Sequence, residues 1–96
     1  MATLTTSNGR TYEFDIKRLS DGSYRPYIVR QPGYGSRDTS CEATHRLWVQ
    51  EGNVNRPFVC WTSKLRTERE AMEVAKGWAV RTDVYINTGD TGVWKR

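Results

Sequence analysis

Residues 67–81 read TEREAMEVAKGWAVR, and this stretch decides how the rest of the chain must be arranged. Thr67 and Glu70 stand at the spacing of a capping box, and Glu68 and Glu70 put negative charge at the positive end of a helix dipole. Ala71, Val74, Ala75, Trp78 and Ala79 recur every three or four positions, while Arg69, Glu73, Lys76 and Arg81 fall mostly opposite. The spacing therefore predicts an amphipathic helix over 67–81 that needs an apolar surface to lie on. Thr82-Asp83 reads as its exit. Gly77, costing about 1 kcal/mol relative to alanine, implies either a close approach to another backbone or tolerance near the helix end.

The surface that receives this helix is read upstream. Tyr12, Phe14 and Ile16 alternate with Glu13, Asp15 and Lys17, the period-two pattern of a half-buried strand. Asp21-Gly22 then reads as a two-residue hairpin loop leading into a strand over about Tyr24 to Gln31. That loop sets Ile16 opposite Tyr27, Phe14 opposite Val29 and Glu13 opposite Arg30, so that four apolar side chains share one face. Two further strands are expected, Thr44 to Gln50 and Pro57 to Ser63, joined by a loop over 51–56. With Gln50 opposite Pro57, Leu47, Val49, Phe58 and Cys60 complete the core face. Val84-Tyr85-Ile86 has the composition of a short edge strand.

The expected fold is α+β: a four-stranded, mainly antiparallel sheet built from two β-hairpins, with one C-terminal helix packed on one face. A chain of 96 residues is one domain and buries roughly 60–65% of its unfolded surface. Residues 1–10 and 88–96 read as loose termini, and 32–43, PGYGSRDTSCEA, as a long mobile loop rich in turn formers. The longest apolar run, Phe58-Val59-Cys60-Trp61, is far short of a membrane span. The first ten residues lack the apolar core of a secretory signal, so a cytoplasmic protein is expected.

Composition narrows the chemistry. Two cysteines, one histidine and no Cys-x-x-Cys pair do not make a metal site. Cys60 reads as a small reduced core residue, and pairing it with Cys41 would require an oxidising compartment. His45 has no acid at a spacing that demands acid–base work, and no nucleophile or zinc motif is present. We therefore expect no catalytic residue, no cofactor and no metal.

On the expected register, the sheet face away from the helix carries Lys17, Tyr24, Ile28, Arg30, Arg46, Trp48, Val59 and Trp61. Tryptophan, tyrosine and arginine are the residue types that dominate protein interfaces, and indoles among cations also stack bases and meet phosphates. Lys17, Tyr24, Arg30, Arg46, Trp48 and Trp61 are the candidate partner-binding residues, with Tyr34 and Arg37 in a candidate binding loop. A non-enzymatic module for protein association or self-association is the first expectation, and nucleic-acid binding through the same face is the alternative. A third reading lays Arg46 over Trp61 as a cation–π pair with no partner at all. The net charge of +4 is mild and decides little.

Antiparallel strands leading into a Thr-x-x-Glu-Ala helix with a later Trp78-Ala79 resemble the sheet-plus-helix DNA-binding domains at the N-termini of phage-type integrases. The resemblance spans about Tyr12 to Ala79 and implies DNA contact as an expectation. The Pro32–Ala43 insertion and the additional strand depart from that pattern. As a whole the chain is similar to short uncharacterised bacterial proteins of the Burkholderia type, which implies no activity.

Overall fold

The helix begins at Thr67 as expected, with the return bond of its capping box made one residue early, to Arg66 rather than to Thr67. In the computed structural model, which describes residues 2–94, Thr67 Oγ1 accepts the N–H of Glu70 at 3.0 Å, and Glu70 Oε1 accepts the N–H of Arg66 at 3.2 Å. This helix, α2, runs Glu68–Thr88 and ends on Gly89, whose φ of 73° returns its N–H to the Tyr85 carbonyl at 2.7 Å. The expected exit at Thr82-Asp83 and edge strand at 84–86 are thus corrected. Thr82 and Tyr85 continue the three-to-four spacing and are both buried. Three poor helix formers cost about 0.5 kcal/mol each, whereas burying a ring of tyrosine's size contributes about 2 kcal/mol, and the packing wins.

The strands are β1 (Ala2–Thr5), β2 (Thr11–Arg18), β3 (Tyr24–Arg30), β4 (Arg46–Glu51) and β5 (Val54–Val59), with a one-turn helix α1 (Cys41–Thr44) before β4. They form one antiparallel sheet in the order β1-β2-β3-β5-β4. The sheet has five strands where four were expected. The difference is residues 2–5, which were read as a loose arm and instead pair with β2, Ala2 against Phe14 and Leu4 against Tyr12.

Both expected hairpin registers change, each through its turn. In the first, Asp21 accepts the N–H and hydroxyl of Ser23 at 2.9 and 2.6 Å, and the Gly22 N–H returns to the Leu19 carbonyl at 3.0 Å. With Gly22 at φ 86° this is a three-residue loop closed by a bulge, one residue longer than expected. Phe14 therefore faces Ile28, Asp15 faces Tyr27 and Ile16 faces Pro26. Val29 is the extra residue of a second bulge, after which Glu13 meets Arg30 as expected. In the second hairpin Glu51 pairs with Val54, leaving Gly52-Asn53 as a two-residue turn. Gly52 at φ 61° suits its first position. That moves the β4–β5 pairing by two, so Trp48 faces Pro57 and Leu47 faces Phe58.

A one-residue change in the first turn exchanges the faces of β3 and of everything paired beyond it. Tyr12, Phe14, Ile28 and Val59 form the core with Ala75, Trp78 and Ala79 of α2. The Trp78 ring meets Tyr12 and Phe14 edge-on, each at 6.0 Å. Tyr27, Leu47, Val49 and Phe58, expected under the helix, share the opposite face instead.

The connector after β3 is tied to the far end of α2. Arg37 donates from Nε to the Ile86 carbonyl at 3.2 Å and from Nη2 to the Asn87 carbonyl at 3.1 Å, capping the negative helix end with a cation. Tyr34 and Ala43 pack on Tyr85, whose hydroxyl donates to the Asp38 carbonyl at 2.7 Å. Trp94, in the 3-10 turn Thr91–Trp94, donates its indole N–H to the Ala43 carbonyl at 2.8 Å. Among the described residues, no helix is long and apolar enough to cross a membrane.

Candidate functional site

The six residues expected to share one binding face are divided among three places. Lys17 and Arg30 stay on the face away from α2, where each has a carboxylate: Lys17 with Asp15 at 3.8 Å, Arg30 with Glu13 at 3.6 Å. Arg46 and Trp48 lie on the α2 side of the sheet, but on its outermost strand. Tyr24 and Trp61 meet at a third place. Both line a small recess between the first hairpin and Leu65, with the Tyr24 N–H bonded to the Leu65 carbonyl at 2.8 Å.

The helix-free face is already furnished with its own partners. Tyr27 is 3% exposed there because the Arg56 guanidinium lies 4.3 Å from its ring centroid and Arg25 flanks it at 5.8 Å while covering Phe58 at 4.2 Å. Arg56 also reaches Asp15 and Glu51, at 3.7 and 3.8 Å. Each exposed ion pair is worth about 0–1 kcal/mol, but together they answer the positive charge that a polyanion would seek. The loop expected over 51–56 took in Arg56, and a two-residue first turn put Arg25 and Tyr27 under the helix, so none of the three was expected on this face. The Asp21-x-Ser23 pattern was the local sign of the longer one.

Arg46 is a clamp. Its guanidinium stands 5.0 Å from both the Tyr34 and Trp48 rings and donates from Nη1 to Gln31 Oε1 at 2.9 Å, while its buried Nε has no hydrogen-bond partner among the described residues. It does not lie over Trp61. Tyr34 is buried, with its phenol pushed up mainly by desolvation, and Arg37 is held by the helix end. Neither of the two candidate loop residues projects as a free binding group.

What remains open is the outer side of β4. This strand, RLWVQE, pairs with β5 on one side and with no described strand on the other. Trp48 is 51% exposed on it. Since Glu51 and Val54 close the two-residue turn, the N–H and C=O groups of Glu51, Val49 and Leu47 turn towards β5, and those of Arg46, Trp48 and Gln50 turn outward. The strand has no proline, lysine or bulge, devices that usually blunt an edge, and its two charges, Arg46 and Glu51, stand at its ends.

His45 follows α1 in a left-handed conformation, φ 50°, and stacks on Trp94 with ring centroids 4.5 Å apart and planes 12° apart. Burial lowers its pKa, favouring the neutral ring. Cys41 is exposed, Cys60 is half-buried rather than in the core, and both are free thiols. Among the described residues no group of three histidine, cysteine or acidic side chains converges as a metal site. Comparison with protein-family models, curated proteins and solved structures finds no match for this chain.

Proposed function

We propose that the protein is a non-enzymatic binding module that associates through the outer edge of β4, with a second copy of the same chain as its partner. The observation that carries this reading is an unblunted six-residue edge strand with a half-exposed tryptophan at its middle. Two copies paired antiparallel about Trp48 would exchange the outward backbone groups of Arg46, Trp48 and Gln50. Arg46 would stand opposite Gln50, and Leu47 opposite Val49, so no like charges meet across the seam. A twofold axis perpendicular to the sheet satisfies both chains at once, as an isologous contact must. Nucleic acid is the alternative partner for the same indole and guanidinium, on a chain of net charge +4.

Light scattering after size exclusion, over a range of protein concentrations, tests the reading. The expected result is a dimer that dissociates on dilution. Gln50→Pro removes an outward N–H without touching the β5 ladder, and it and Trp48→Ser should both give folded monomers. A monomer at every concentration overturns self-association. If its tryptophan emission is then quenched by a single-stranded oligonucleotide in a salt-dependent manner, the alternative is favoured.

A further inference from the structure

A second feature, separate from the β4 edge, lies where α2 crosses the end of β5. There a cleft of about 400 Å³ opens between Trp61, Trp78 and Trp94, with Val59 and Val74 between them and Arg81 at the rim. The size is that of a small-molecule pocket. We propose that this cleft binds a small planar aromatic anion, its ring held among the indoles and its carboxylate at Arg81.

The walls favour an apolar, flat ligand because two of the indole N–H groups beside it are already used. The Trp78 indole N–H is donated to the Thr44 carbonyl at 3.0 Å and that of Trp94 to the Ala43 carbonyl at 2.8 Å. Both indoles keep their hydrogen bonds for the fold and line the cleft as apolar walls, Trp78 buried against Tyr12 and Phe14 and Trp94 with one face on His45. His45 also lines the cleft, stacked on Trp94 and kept neutral by burial, so it brings no positive charge at neutral pH.

Charge comes from Arg81 alone among the cleft's described residues. No carboxylate lies within ion-pair distance of it among the described residues, in contrast to Lys17, Arg30 and Arg56 on the other face. Gly77, one turn earlier on α2, lies beside its guanidinium: a Cβ there would stand 3.0 Å from Arg81 Nη1. A planar guanidinium matches a carboxylate in two parallel hydrogen bonds. An aromatic ring with a carboxylate one or two bonds away spans both features of the cleft.

The test titrates 2-naphthoate, and in parallel the uncharged naphthalene-2-methanol, into the full-length 15N-labelled protein, following the four indole resonances by NMR and the heat of binding. Naphthoate is expected to move the Trp61, Trp78 and Trp94 signals saturably and to leave Trp48 unmoved. Arg81→Gln, an exposed change, should weaken naphthoate by about ten-fold and leave the alcohol unaffected, while Trp61→Ala should weaken both. No saturable shift up to the solubility limit overturns the proposal, as does equal naphthoate affinity in Arg81→Gln or shifts confined to Trp48.

Discussion

The indole N–H of Trp78 donates a 3.0 Å hydrogen bond to the main-chain carbonyl of Thr44, joining buried residues 34 positions apart in sequence. The middle of α2 is thereby fixed to the one-turn helix that launches β4. Trp78→Phe removes the donor, strands the carbonyl and leaves a void between Tyr12 and Phe14. The expected loss is about 2–4 kcal/mol, measured by urea unfolding.

The two bulges of the β2–β3 hairpin predict unequal costs for adjacent apolar residues. Ile28 is buried against Trp78's cluster, and Val29 is 47% exposed at the bulge. Ile28→Ala should lose about 2–4 kcal/mol and Val29→Ala no more than about 0.5 kcal/mol. Tyr27→Ala should be as costly as a core truncation, about 3 kcal/mol, although no helix covers it. The reverse order for 28 and 29 would restore the two-residue turn.

That pair of residues also shows how far the sequence can be read. The α2 start was legible because a capping box is a local device, and the α+β class followed from one helix meeting several alternating segments. The faces were not legible, because they depend on whether Asp21-Gly22 makes a loop of two residues or three. Asp21 takes the longer loop by accepting the Ser23 N–H, and the shift carries through β3 to Phe58 and Leu47. The candidate binding set was drawn from the resulting faces, so Lys17 and Arg30 parted from Arg46 and Trp48. The extent of α2 past Asp83 was hidden for a different reason: Tyr85 is a poor helix former until Tyr34 and Asp38 arrive from 47 or more positions upstream.

Asp83 predicts a pH dependence. Burial alone would raise its pKa, but hydrogen bonds from Asn8, Thr6 and Tyr12 and the charge of Arg10 outweigh burial and lower it below the ordinary 3.8. The folded state thus binds fewer protons than the unfolded state just below that value. The stabilisation is complete above about pH 4 and is lost as pH falls through the folded pKa. Asp83→Asn should cost about 2 kcal/mol at pH 7, and the gap to the wild type should narrow towards pH 2. A gap that stays constant from pH 7 to pH 2 would contradict this.

His45 supplies a second titration, in a single ring. Its pKa lies below the ordinary 6.5 because burial disfavours the imidazolium, so its contribution to stability is intact above pH 6.5 and lost as pH falls through the folded value. The ring protons should titrate by NMR with a midpoint under 6.5. Trp94→Ala uncovers the stacked face and should return the midpoint towards 6.5, whereas Trp48→Ala should leave it in place.

Three of the four tryptophans surround the cleft beside α2, and only Trp48 stands elsewhere. Intrinsic emission is consequently a reporter of one corner and a poor average over the molecule. Unfolding followed by fluorescence and by far-ultraviolet circular dichroism will coincide only while that corner and the sheet melt together, so any early opening around the indoles becomes visible without a label.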